Sequence, residues 1–296
     1  MTASEFIYTQ VFKPSLIRKF VNKAILATLP KAVRVGPAVV CLNPRDPVVC
    51  GALTFRVYER QELKLVSRIL REGMTVLDVG ANVGLYTALA MHYVKRDGRI
   101  LAFEPHPESY HFLTQTVAAN VAMLPEHERP RVEMLDFAAS ASEGEARLYI
   151  NPANKGDNRL YFFNSAQQSD ALSIRTRTID SALRDLKIKR IDFLKLDVQG
   201  HEFEVVQGAC DILRTSPNAI ILSEFWPDGV RQSCNHDSMD YLSLLADWNF
   251  KIYEVHRNKL WLLRDSVDFQ SLISRLKGRR YASILGTKNL LSDTSI

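Results

Sequence analysis

The segment VLDVGANVGLY at residues 76–86 constrains the fold more than any other. An apolar run ends in Asp78, a turn with glycines at Gly80 and Gly84 follows, and an apolar stretch with helical character comes next. A strand, a glycine turn and a helix in direct succession mark the place where an open α/β sheet presents a loop to a nucleotide-like ligand. Gly80 lets the backbone approach such a ligand closely because it carries no Cβ. The helix that follows starts with N–H groups that have no intrahelical partner. The spacing is G-x-x-x-G, whereas dinucleotide turns need G-x-G-x-x-G. An acid two residues before the first glycine would repel a pyrophosphate. It suits a ligand with a cationic amino-acid part, and S-adenosylmethionine is such a ligand.

The rest of the chain repeats the strand–helix theme. QELKLVSRIL reads as a helix, RILAFEP as a strand, PESYHFLTQTVAAN as a helix and RVEMLDFAAS as a strand. Strands alternating with helices predict βαβ units and a parallel sheet. The alternation then pauses at ARLYI, RLYFF and SIRTRTI, which read as an inserted β-meander around the polar loop 151–158. It resumes with the strand DFLKLD, a helix over 201–213, the strand AIILSEF, the helix MDYLSLLADW and two last strands, FKIYEVH and KLWLLR. The expected organisation is an N-terminal extension over 1–60, a catalytic α/β domain over 61–265 and a helical tail over 266–296. No internal repeat or low-complexity segment is present.

Composition narrows the class. Hydrophobic residues make up 46% of the 296 residues and charged residues 24%, which supports a sizeable core and argues against long disorder. The net charge of +5 is modest over this length and reads as a solvated surface. Cys41, Cys50, Cys210 and Cys234 form no C-x-x-C pair and read as free thiols of a cytoplasmic protein. No apolar run reaches the length of a membrane span, and no signal peptide is evident. Residues 13–29 do have basic amphipathic character, with Arg18, Lys19 and Lys23 set among Leu16, Ile17, Phe20, Val21 and Ile25. That pattern allows either peripheral membrane contact or packing on the chain's own domain.

Several polar residues fall at strand ends, where ligands of open α/β sheets bind. Glu104 ends the second strand, about 20 residues past the glycine turn, where an acid takes ribose hydroxyls. Asp136 and Phe137 end the third and offer an adenine amino acceptor and a ring to pack on. Asp197 ends the fourth and His201 starts the next helix. Either serves as general base for methyl transfer to an oxygen, a role worth about 10²–10⁴-fold. The helix dipole would keep the His201 ring neutral and basic. Glu224 and Trp226 in SEFWP offer a carboxylate and an indole to a sugar. Lys155 or Arg159 in the polar loop offers a cation to an anionic part of the acceptor. Neither H-E-x-x-H nor a close acid pair calls for a metal, and none is expected.

With VLDVGANVGLYTALA, AFEPHPESYHFL, FLKLDVQGHEFEVVQGA and SEFWP in this order, the chain resembles the FkbM family of methyltransferases over about 75–270. The resemblance implies a class I methyltransferase, a Rossmann-like, mostly parallel, seven-stranded sheet with helices on both faces. It implies S-adenosylmethionine as cofactor, with Asp78, Gly80, Asn82 and Gly84 lining its methionine part, Glu104 on the ribose and Asp197 near the transferable methyl. It also implies O-methylation of a sugar, glycolipid-like or secondary-metabolite hydroxyl. Where the family has D-x-E-G-x-E, this chain reads Asp197-Val198-Gln199-Gly200-His201-Glu202, so one acid is replaced by an amide. The block N-P-P-Y of base-amino methyltransferases is absent, so no nucleic-acid partner is expected. The other class of reading is a non-catalytic methyltransferase-like module that binds through its basic N-terminus.

Overall fold

The computed structural model describes residues 30–55, 58–151, 154–162, 170–234, 236–278 and 280–289. The basic stretch 13–29 therefore lies outside the described residues.

Each central strand carries apolar side chains on both faces, because successive residues of a strand point to opposite sides. In β3 (Thr75–Val79), β4 (Arg99–Phe103) and β9 (Phe193–Leu196), the neighbours Val76 and Leu77, Ile100 and Leu101, and Phe193 and Leu194 divide between two separate apolar cores. One core is closed by α1 (Pro47–Thr54), α2 (Arg60–Ile69), α3 (Leu85–Val94) and α4 (Pro107–Met123). The other is closed by α5 (Ile179–Asp185), α6 (Glu202–Gln207), α7 (Cys210–Thr215), α8 (Pro227–Cys234), α9 (Ser238–Asp247) and α10 (Ser266–Arg275). A sheet buried on both faces between helices is the doubly wound arrangement that the alternation predicts.

The sheet has eight strands in the order β12 (Lys259–Leu263), β11 (Lys251–His256), β13 (Ala282–Thr287), β10 (Ile220–Phe225), β9, β3, β4 and β5 (Arg131–Leu135). From β3 the chain steps outward through β4 to β5, and from β9 it steps the other way to β10. The strand order reverses between β3 and β9, and the crevice outside their carboxyl ends is where such sheets bind ligands.

The sequence differs from this architecture at three places. The chain has one strand more than the seven expected. β13 falls in the segment read as a helical tail, yet it is an interior strand, antiparallel to both β10 and β11. A boundary at 265 would cut through the sheet. The extension read over 1–60 also joins the core. β1 (Ala32–Val35) and β2 (Ala38–Cys41) form a hairpin, and the Val39 N–H donates to Asn120 Oδ1 of α4 at 3.0 Å. The meander is a small sheet of β6 (Ala138–Ala139), β8 (Asp170–Arg177) and β7 (Gly144–Ile150). RLYFF supplies only the bridge Tyr149–Arg159 to it among the described residues. Cys41, Cys50 and Cys210 are free thiols. Among the described residues no helix is long and apolar enough to cross a membrane.

Candidate active site

The turn after β3 packs against the end of β9. Gly80 has φ +81°, and a Cβ there would stand 2.0 Å from the Asp197 carbonyl oxygen. Backbone cannot yield that distance, so glycine is required by the neighbouring strand as well as by any ligand. The Gly80 and Ala81 N–H groups both donate to the Phe103 carbonyl, which pins the turn to β4. Asn82 is left-handed at φ +49°, and its N–H donates to Glu104 Oε2 at 2.8 Å. The other carboxylate oxygen, Oε1, accepts from the His106 N–H at 2.9 Å. Burial pushes the Glu104 carboxyl up to about 7 despite those two donors. The side-chain oxygen of Asn82 is buried without a hydrogen-bond partner among the described residues.

Above this turn opens a cleft. Gly80, Asn82, Glu104 and Phe137 line it, as do Lys195, Asp197 and Gln199. Phe137 stands edge-on to Phe103, with ring centroids 5.6 Å apart.

Three residues expected at the cofactor do not line the cleft. Asp78 is buried below the turn, where Thr87 Oγ1 donates to it at 2.6 Å. It ties the start of α3 to β3. Gly84 faces α4, where a Cβ would meet Leu113 Cδ1 at 2.8 Å. Asp136 turns outward to solvent and pairs with Arg175 at 2.7 Å. Lys155 does line the cleft, 3.6 Å from Glu108 of α4. Arg159 packs inward, with its guanidinium 4.6 Å from the centroid of the Trp226 ring.

Gln199 has a left-handed backbone at φ +55°. Its amide nitrogen donates to Asp197 Oδ1 at 2.7 Å and to Glu224 Oε2 at 3.2 Å. The buried Lys195 ammonium lies 3.7 Å from Asp197 Oδ2 and 4.9 Å from the centroid of the Tyr86 ring. Burial opposes that charge, but Asp197, Glu59 and Glu224 outweigh it and hold the lysine protonated. Burial, then the charge of Asp197, drives the Glu224 carboxyl well above the usual carboxylate range. Glu59 accepts a short hydrogen bond from the Tyr86 hydroxyl, and burial lifts its carboxyl to about 7.

Sequence reasoning missed Lys195 and Glu59. A lysine inside the apolar run DFLKLD was a readable signal, since a buried ammonium needs a carboxylate partner. Glu59 carried no local signal.

His201 is buried, with Nε2 3.0 Å from Ser140 Oγ and Nδ1 2.8 Å from Ser233 Oγ. Burial lowers its pKa to about 4. A neutral ring with both nitrogens on serines has no lone pair left for a substrate proton. Trp226, expected to stack on an acceptor, is buried instead, and its Nε1 donates to the Gly278 carbonyl at 3.0 Å. Among the described residues no group of three His, Cys, Asp or Glu side chains is placed to hold a metal ion.

Residues 78–276 match the Methyltransferase FkbM domain. The chain belongs to that family. Similar proteins include Methyltransferase sdnD of Sordaria araneosa, 28% identical over 210 residues, covering 60% of this chain and 73% of that protein. Hexuronic acid methyltransferase AglP of Haloferax volcanii is 25% identical over 165 residues, 55% of this chain and 61% of that protein. 2-O-methyltransferase NoeI of Sinorhizobium fredii is 24% identical over 165 residues, 51% and 63% respectively. The family uses S-adenosylmethionine. The cleft fits that cofactor: it pairs a fixed carboxylate, Glu104, and an unpartnered amide oxygen, that of Asn82, with the aromatic wall of Phe137.

Proposed function

We propose that this FkbM methyltransferase methylates a hydroxyl oxygen of a small acceptor, a sugar or a comparable secondary metabolite, with Asp197 as the general base. The observation that carries this reading is the Asp197 carboxylate at the C-terminal end of β9. Oδ1 is fixed by the Gln199 amide, and Oδ2 stands beside the Lys195 ammonium at the cleft wall.

When bound, S-adenosylmethionine supplies an electrophilic methyl on a sulfonium that departs as a neutral thioether. Glu104 would hold its ribose hydroxyls, since each oxygen keeps an acceptor site beside its backbone N–H. The Asn82 amide oxygen would accept from the cofactor ammonium. Phe137 would pack on the adenine. Asp197 takes the acceptor's hydroxyl proton as the new C–O bond forms, and Lys195 keeps the carboxylate in place. Most of the acceleration then comes from alignment of the two reactants. The Ser140–His201–Ser233 chain braces the β9–α6 turn from which Asp197 projects.

One relative is named a 2-O-methyltransferase, and another a hexuronic acid methyltransferase, a name that specifies a sugar acid and not the atom methylated. The test is single-turnover methyl transfer with Asp197→Asn. Retained affinity for S-adenosylmethionine with loss of transfer supports the base, and unchanged transfer refutes it.

A further inference from the structure

β12 is the outer edge of the large sheet, and among the described residues no strand pairs with its far side. It forms a hairpin with β11, and the two residues of the turn, Arg257 and Asn258, are left-handed at φ +51° and +59°. A two-residue turn of this kind is type I′, and the residues flanking it form a hydrogen-bonded pair. Here that pair is His256 and Lys259. The alternation of an antiparallel ladder then directs the backbone N–H and C=O of Lys259, Trp261 and Leu263 toward β11, and those of Leu260 and Leu262 outward. Leu260 packs on the core closed by α1–α4, and Leu263 on the other core. Trp261 and Leu262 are 56% and 42% exposed, and Val267 at the start of α10 is 73% exposed. Native sheets blunt an edge with charge, proline or a bulge. Residues 260–263 carry none of these, and their register with β11 runs unbroken.

We propose that β12 pairs antiparallel with β12 of a second copy of this chain, about a two-fold axis at Trp261, so that two sheets join edge to edge. The strand is self-complementary in this register, as an isologous interface requires. Leu260 of one copy lies opposite Leu262 of the other, and each such pair exchanges both N–H···O bonds, which uses every outward group of the strand. An axis at Leu260 or at Leu262 would leave the other leucine outside the strand pairing. Trp261 meets Trp261 of the other copy as a non-hydrogen-bonded pair, where side chains approach most closely. Charges agree as well. Lys259 falls opposite Leu263, Arg264 opposite Asn258, and Arg257 opposite the exposed Asp265, so no like charges face each other. β11, β13 and β10 separate this edge from β9 and Asp197, so the pairing stands apart from the methyl-transfer reading.

The test is light scattering on the full chain eluting from a sizing column at micromolar concentration. The expected species has twice the chain mass. Trp261→Lys replaces the central aromatic pair with two like charges and should raise the dimer dissociation constant about tenfold or more. Leu262→Pro removes an outward N–H and leaves the ladder to β11 intact, as proline on an edge strand does, and should give the monomer. Both variants should bind S-adenosylhomocysteine with wild-type affinity, read by calorimetry. In Trp261→Cys the two Cα atoms would stand about 4.5 Å apart, within disulfide reach, so mild oxidation should yield a covalent dimer. Wild type, in which Cys41, Cys50 and Cys210 are free thiols, is the control and should stay uncrosslinked. A wild-type monomer would overturn the proposal, including one whose β12 amides resist hydrogen exchange because another segment of the same chain covers them. A dimer that persists unchanged in Trp261→Lys and Leu262→Pro, or a Trp261→Cys chain that crosslinks no more than wild type, would overturn it too.

Discussion

The side-chain amide of Gln199 donates to Asp197 Oδ1 across 2.7 Å and reaches Glu224 with the same nitrogen. One neutral group thus bridges the Asp197 carboxylate and the Glu224 carboxyl. A glutamate at 199 would remove both donors and add an anionic group beside Asp197. Gln199→Glu should therefore move the acidic limb of the kcat/KM profile to higher pH, since a new neighbouring anion disfavours the ionised base. Gln199→Leu removes the donors without adding charge and should lower kcat with a smaller displacement of the limb. Identical profiles for wild type and Gln199→Glu would deny the amide this role.

Asp197→Asn keeps the shape of the strand end and removes the proton acceptor. A fall in kcat of about 10²–10⁴-fold, with the dissociation constant for S-adenosylmethionine unchanged, is expected. Pre-steady-state transfer and calorimetry measure the two quantities separately.

His201 should contribute no limb near neutral pH, because its pKa is lowered to about 4 and both its nitrogens are engaged. Removing a buried ring and stranding two serine hydroxyls should destabilise His201→Ala by about 2–3 kcal/mol. Denaturant unfolding checks that figure. A neutral-pH limb in wild type that disappears in His201→Ala would restore the imidazole as base.

Glu104→Ala should weaken S-adenosylmethionine binding by about 1.5–3 kcal/mol, the usual worth of hydrogen bonds to a charged group. It should also lower stability, since the Asn82 and His106 N–H groups lose their acceptor. Glu104→Gln keeps an acceptor and separates the two effects. Wild-type affinity in both variants would refute the ribose role.

Burial raises Glu59, Glu104 and Glu202 from 4.5 to about 7 and Asp46 from 3.8 to about 6. Between those limits the folded chain binds more protons than the unfolded chain, so these groups make stability fall as pH rises. His201, lowered from 6.5 to about 4, acts in the opposite sense between those values, because there the unfolded chain holds the extra proton. Burial lowers His106 in the same sense, and four carboxyls outweigh these two imidazoles. The melting temperature of the ligand-free protein should drop between about pH 5 and about pH 7, and Glu59→Gln should flatten the decline. A rising curve over that window would contradict the assignment.

The sheet and the strand-end positions of its acids were legible because their signals are local. Strand, glycine turn, helix and strand-end acids follow one another within about 30 residues in a βαβ unit. Glu104 and Asp197 stand where that order places them. Long-range packing decided the rest. His201 reads as a free base until Ser140 and Ser233, 61 and 32 residues away, take its nitrogens. Trp226 at a strand end looks the same whether it faces a ligand or holds Gly278, and here it holds Gly278. β13 escaped because a six-residue apolar run after a turn carries no mark of its antiparallel insertion between β10 and β11. Glu59 acquires meaning only through Tyr86 and Lys195, which come from two other elements.

The central claim is transfer to a hydroxyl oxygen. Its most direct measurement uses methyl-labelled S-adenosylmethionine with a panel of neutral glycosides and uronosides, followed by mild alkali on the labelled products. A methyl ether survives alkali and a methyl ester releases methanol. The account predicts label on the neutral glycosides, stable to alkali and absent with Asp197→Asn. Label confined to uronosides and released by alkali would show a carboxyl acceptor and contradict it.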